Sequence, residues 1–304
     1  MAKTLGRLQR LKKRRQDSEA QSTPTPLLLA LPAEIRNLIY EFALTRDEVR
    51  VHWVTGTTRL RLKPELRVSS NPKASINQLK FVSRQLYQET AGTELKYNRV
   101  VFDDSSPSAS TKRFFRFVTS CSAPKLQWLR QVVIEEKSNK EDESTMDWVR
   151  DNVHSILTLL DFCSKNPQIT VLYRIPRFQI FCSIPEHNEC YHGLQFLHTG
   201  IFLALAFHGK DYLSLVPGYK SSNAQVYDQL LSQTLGSSRA AFIGFHGRAD
   251  NLCLMPRWDI WEENEFMGQT LQNWSHVAHT PSLLPPGGCD KWLQFAKSWM
   301  EKGV

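Results

Sequence analysis

The chain has 304 residues, 41% apolar and 22% charged, which is enough to bury a core without covalent staples. No run approaches the roughly 18 apolar residues of a membrane span; the nearest, Leu194 to Phe207, is broken by Gln195 and His198. The net charge of +8 belongs to the amino end, where Lys3, Arg7, Arg10, Lys12, Lys13, Arg14 and Arg15 precede the first acid, Asp17; without those seven, 31 basic residues nearly balance 30 acidic ones. A body so balanced lacks the basic face that nucleic-acid binding normally needs, so neither nucleic acid nor membrane is an expected partner.

Residues 1–26 read as a tail. No apolar segment follows its basic residues closely enough to make a secretory signal, and the polar run Gln16 to Pro26 cannot bury a core. Arg10, Lys12, Lys13, Arg14 and Arg15 have the composition of a nuclear-import signal and equally of a solubilising arm. The six cysteines, at 121, 163, 182, 190, 253 and 289, are too scattered for a disulfide framework. Free thiols in a reducing compartment, nucleus or cytoplasm, are the expectation.

Order is expected from Leu27. In Leu31 to Leu44 the proline suits the start of a helix, and Glu34 suits its first turn. Leu31, Ile35, Leu38, Ile39 and Phe42 follow the i, i+3, i+4 rule and form one apolar stripe, with Glu34, Arg36, Asn37 and Glu41 mainly off it. Val49 to Val54 and Arg59 to Leu62 alternate on either side of a turn with Gly56, the pattern of a β-hairpin. Lys63 to Ser75, with two prolines, reads as loop. A second helix is expected from about Asn77 to Tyr97, weakened at Gly92, and Val100 to Phe102 as a short strand followed by a polar loop.

Further along, Lys112 to Ser120 reads as helix and Trp128 to Glu135 as strand. An exposed charged loop, Ser138 to Thr145, precedes a long amphipathic helix, Met146 to Cys163, with Trp148, Val153, Ile156, Leu157 and Leu160 inward. Ile169 to Tyr173 reads as a buried strand and Leu194 to Phe207 as a buried helix. Ala240 to Phe245 reads as another strand, with helices near Glu262 to Trp274 and Lys291 to Met300. Strand, helix, strand at this spacing implies βαβ crossovers. The expected fold is therefore α+β or α/β: a disordered tail 1–26, a helical unit with an inserted hairpin at 27–104, and an α/β domain at 110–304 on which that unit packs.

The stretch Leu31-Pro32-x-Glu34-Ile35-Arg36-x-x-Ile39-Tyr40-x-x-Ala43-Leu44 resembles the opening helix of the F-box-like proteins abundant in filamentous fungi. Leu79 to Glu89 (LKFVSRQLYQE) and Tyr97 to Phe102 resemble the helix and aromatic strand that follow it there, so the likeness covers about residues 27–104. That resemblance implies a non-enzymatic interaction protein, docked on the adaptor subunit of a cullin–RING ubiquitin ligase while the rest of the chain recruits a protein substrate. Leu31, Pro32, Ile35 and Ile39 would face the adaptor, with Val82 and Leu86 completing the helical unit, and these six are the expected partner-binding residues. Here about 32 residues, Thr45 to Ile76, separate the two helices, where a standard F-box is contiguous; the alternative expectation is that the stripe completes the protein's own core.

Chemical motifs are few. Neither phosphate-binding glycine loops, nor a G-x-S-x-G elbow, nor H-E-x-x-H occurs. Cys182, His187, Cys190 and His192 are residue types that zinc takes, but their spacing matches no common zinc knuckle. His246 and Asp250 have no evident nucleophile as partner. Trp258 to Glu265 is acidic and aromatic, which fits a docking segment or a helix start. No catalytic residue, metal or cofactor is assigned; the rival expectation is an enzyme or small-molecule binder in residues 110–304.

Overall fold

The chain divides by its own contacts at Thr45/Arg46. The structure, a computed structural model, describes residues 26–46, 48–55, 62–68, 71–103, 109–136, 145–175, 192–216, 221–256 and 289–304. Within the first unit a single helical turn, α1 (Leu27–Ala30), precedes α2 (Ala33–Leu44). Pro32 occupies the N-cap of α2, one position earlier than expected, and Glu34 lies in its first turn. Thr45 closes the other end, its amide and hydroxyl both donating to the Glu41 carbonyl at 2.9 and 2.6 Å.

The second unit is built on a seven-stranded mixed sheet. In chain order its strands are β1 (Glu48–Thr55), β2 (Leu62–Val68), β3 (Asn71–Ser75), β4 (Arg99–Phe102), β5 (Gln131–Glu135), β6 (Thr170–Ile175) and β7 (Leu252–Pro256). Their spatial order is β3-β2-β1-β4-β5-β6-β7, with β1, β4, β5, β6 and β7 mutually parallel and the β1–β2–β3 pairs antiparallel. Val49, Val100, Val132, Val171 and Leu252 stand in one register row across the five parallel strands, all fully buried. Continuous β-branched runs of this kind are what a parallel sheet requires of its strands.

The parallel strands follow one another in sequence without a reversal. Crossovers of one hand then deliver their helices to one face. Those helices are α3 (Arg84–Thr90), α4 (Glu94–Tyr97), α5 (Ser110–Ser120), α6 (Ala123–Trp128), α7 (Thr145–Lys165), α8 (His192–His208), α9 (Ser221–Leu235) and α10 (Arg239–Ile243), with α11 (Cys289–Lys302) after the last strand. Phe114 and Phe117 of α5, Leu159 of α7, Ile201 of α8, Leu231 of α9, Phe242 of α10 and Trp299 of α11 join Val100, Ile134, Tyr173 and Leu254 in one large cluster. The alternate residues Val101, Val133 and Leu172, with Cys253 and Met255, form a small cluster composed of strand residues alone.

At the centre of the large cluster lies α8, where Leu197, Ile201, Leu203, Ala204 and Phe207 are fully buried. It carries Gly200 because a Cβ there would stand 2.7 Å from the Trp299 ring. The carboxyl end of α7 is closed by Asn251, whose amide donates to the carbonyls of Cys163, Asn166 and Ile169 at 3.2, 3.1 and 2.7 Å. Among the described residues no helix is long and apolar enough to cross a membrane.

The α/β class stands, and so do the helices at 112–120, 146–163, 194–207 and 291–300 with adjusted ends. Several details differ. The hairpin joins the common sheet: β1 pairs in parallel with β4 and β4 with β5, so the sheet runs through the boundary expected near 104–110. The expected loop Lys63 to Ser75 forms β2 and β3; Pro72 sits in the edge strand and Pro64 beyond the stretch that pairs with β3, places where a missing N–H costs no ladder bond.

The expected helix Asn77 to Tyr97 is three pieces, a 3-10 turn at Leu79–Phe81, then α3 and α4. Ser83 caps α3, and Gly92 turns the chain at φ 99° against the Trp128 ring. Trp128 ends a helix that Pro124 opens, so β5 starts only at Gln131. Ala240 to Ile243 is helix and Gly244 and Phe245 are turn, not strand, since a short apolar run does not distinguish helix from strand. The helix expected near Glu262 to Trp274 lies outside the described residues, as do residues 1–25.

Candidate docking surface

The apolar stripe of α2 is open. At about 100° per residue, Ile35, Leu38, Ile39 and Phe42 occupy one side of the helix, with Tyr40 and Leu44 opposite. Tyr40 and Leu44 are each 1% exposed, whereas Ile35 is 44%, Leu38 62%, Ile39 37% and Phe42 88% exposed. Leu31 and Leu27, just before, are exposed as well. The minor apolar side of the helix is thus the buried one, and the wide side is left to solvent. A contiguous apolar surface of this kind marks an interaction site far more often than a scatter of single residues does.

A second, smaller apolar surface lies in the sheet unit. Phe81, Val82 and Tyr87 are 71%, 69% and 53% exposed, and the Lys80 ammonium stands 5.1 Å from the centre of the Phe81 ring. The same turn is rigid underneath. Asn77 donates to the Thr90 carbonyl at 2.7 Å and to Glu94 at 2.9 Å, and the same Glu94 oxygen accepts from the Gly92 amide at 3.0 Å. Leu86, at 4% exposure, points into the fold. Of the residues singled out from the sequence, Leu31, Pro32, Ile35, Ile39 and Val82 are exposed and Leu86 is not, which corrects its reading as a contact residue: it supports the turn that presents Val82. Leu38 and Phe42, more exposed than Leu31, Ile35 or Ile39, carry the same periodic signal and belong with them.

The positions weighed for chemistry are quiet. His246 directs Nε2 at the Ala206 carbonyl, 3.2 Å away, and Asp250 is an exposed carboxylate 3.7 Å from His208. Among the described residues no serine or cysteine hydrogen-bonds to either, and no group of His, Cys, Asp and Glu is placed to hold a metal ion. Residues 182–191 and 258–265 lie outside the described residues. Cys121, Cys163 and Cys253 are free thiols, each pushed above its ordinary pKa by burial, the reverse of an activated nucleophile.

In open α/β sheets ligands bind where the strand order reverses, beyond the carboxyl ends of the strands; the parallel strands described here have no reversal. The carboxyl ends are filled by ion pairs. Asp103 meets both Arg50 and Arg113, and Arg174 pairs with Glu135. Glu136 occupies the amino end of α5, accepting from the Ser110 amide at 3.2 Å, the Thr111 amide at 2.8 Å and the Thr111 hydroxyl at 2.6 Å. That is the position in which a helix would otherwise receive a phosphate. No family model, curated protein or solved structure matches the chain.

Proposed function

We propose that this is a non-enzymatic, F-box-like interaction protein that docks through α2 on the adaptor subunit of a cullin–RING ubiquitin ligase, working in the nucleus or cytoplasm. The single observation that carries this reading is the open stripe Ile35, Leu38, Ile39 and Phe42 on a helix whose other side, Tyr40 and Leu44, is buried. Recognition of a helix by a groove places most of the affinity in a few apolar anchors, each contributing about 1.5–3 kcal/mol on full burial. The resemblance of residues 31–44 and 79–102 to the fungal family names the partner, and the exposure of Val82 is consistent with it. The sheet unit is then the part that recruits a protein substrate, and Arg10, Lys12, Lys13, Arg14 and Arg15 serve nuclear import.

Mixing the full chain with a purified adaptor subunit tests this. Binding is expected for the unaltered chain and is expected to vanish for Ile35→Asp with Ile39→Asp, whose circular dichroism should be unchanged because both positions face solvent. Equal recovery of the adaptor by both forms would refute docking through this helix.

A further inference from the structure

We infer that the groove receiving α2 belongs to a different protein and carries basic side chains along one rim, the rim that lies against Glu34 and Glu41. This rests on the docking reading above and adds the charge and the direction of the partner. Around the helix axis Ile35, Leu38, Ile39 and Phe42 span about 100°, and Glu34 and Glu41 both fall beside Leu38, about 100–120° from Ile35 on the same flank. They are seven positions apart, so they stand about 10 Å from each other along one edge of the stripe. Both are exposed, and neither makes an ion pair among the described residues. Arg36 lies on the other flank, half-buried, with its guanidinium donating to the Leu31 carbonyl at 2.6 Å. The docking surface is therefore apolar in the middle and acidic along one side only.

That asymmetry selects the occupant. A second copy of this chain, packed stripe to stripe about a two-fold axis between antiparallel helices, brings like flanks together. Glu34 and Glu41 would then face the same carboxylates of the copy, and like charges juxtaposed in this way oppose association; in a parallel two-fold pair they would meet the flank of Arg36, whose guanidinium already donates to the Leu31 carbonyl. A groove with lysine or arginine on the matching rim meets two unpaired carboxylates and leaves Arg36 to its own backbone contact. Rim charges of this kind act on association rate and salt dependence, while the apolar stripe sets the lifetime of the complex.

The experiment measures affinity of the full chain for the purified adaptor subunit at low and at high salt, with Glu41→Lys, Glu34→Lys with Glu41→Lys, and Asn37→Lys. Glu41 lies in the last turn of α2, where a cation suits the helix dipole, so Glu41→Lys does not weaken the helix. The double reversal is expected to weaken binding about tenfold at low salt, Glu41→Lys less, and Asn37→Lys, which adds one positive charge beside the two carboxylates and reverses neither, least. The differences should shrink at high salt. Unchanged affinity for the double reversal, with Ile35→Asp plus Ile39→Asp still abolishing binding, would overturn the basic rim and leave the docking reading in place. Absence of binding by the unaltered chain would overturn both. Self-association dispersed by Ile35→Asp, seen by sedimentation, would overturn the heteromeric partner in favour of a second copy.

Discussion

Two helices, α2 and α8, divide the uses of apolar sequence in this molecule. The first is amphipathic and keeps its stripe in solvent; the second is apolar on nearly every side, and Leu197, Ile201, Leu203 and Phe207 are all fully buried. By composition alone each would be assigned to a core. What separates them is company: α8 is enclosed by strands and by α9, α10 and α11, whereas the side of α2 that is buried is only Tyr40 and Leu44. Amphipathicity says that a helix has a side to bury, and the neighbours decide whether the same chain does so.

The contrast predicts unequal responses to truncation. Phe207→Ala should lower unfolding free energy by about 3–5 kcal/mol, since the ring contacts Phe242 edge-on inside a closed cluster and leaves a cavity. Denaturant titration would show it as a lower midpoint with an unchanged slope, and a loss below about 1 kcal/mol would mean that α8 is less enclosed than its burial indicates.

Acid should find the same helix. His198, hydrogen-bonded to Tyr227, and His208 both lie in α8 and both are held below the ordinary value of 6.5, chiefly by burial; Lys210 adds to the shift at His208, and the Val304 backbone and Asp250 oppose it. The fold favours the neutral rings while the unfolded chain takes up protons near 6.5, so their contribution is intact above that pH and is lost as pH falls below it. Thermal midpoints should therefore drop between pH 7.5 and 5, by less in His198→Gln, with His208 responsible for part of what remains. An equal drop in both proteins would remove His198 from the account.

The smallest effect belongs to α2. Leu38→Ser should leave stability within about 0.5 kcal/mol of the unaltered chain, because its side chain is already in water. A loss of 2 kcal/mol or more by the same denaturant titration would place Leu38 in the core and end the comparison.

The sequence made the class of fold legible because Val100 to Phe102, Val132 to Ile134 and Ile169 to Tyr173 are short, β-branched and separated by helical stretches. It did not make the sheet's antiparallel end legible. The prolines at 64 and 72 argue against strands everywhere except at an edge, and which strand is an edge is a property of the assembled sheet. The break of Asn77 to Tyr97 is half legible, since Gly92 weakens a helix there, but the Asn77–Glu94 pair that fixes the turn is a contact between residues 17 apart. For the candidate site, periodicity located the stripe of α2 and left its orientation open between core and partner. Leu86 shows the same limit in reverse, a residue on the expected contact side that turns inward.

Glu136 also sets a boundary on what the sheet unit accepts from solution. By answering two amides and a hydroxyl at the head of α5, it supplies the helix with a counter-ion that never dissociates. A soluble anion arriving there would have to displace a tethered competitor whose local concentration is fixed by the backbone, a cost that an open helix end would not impose.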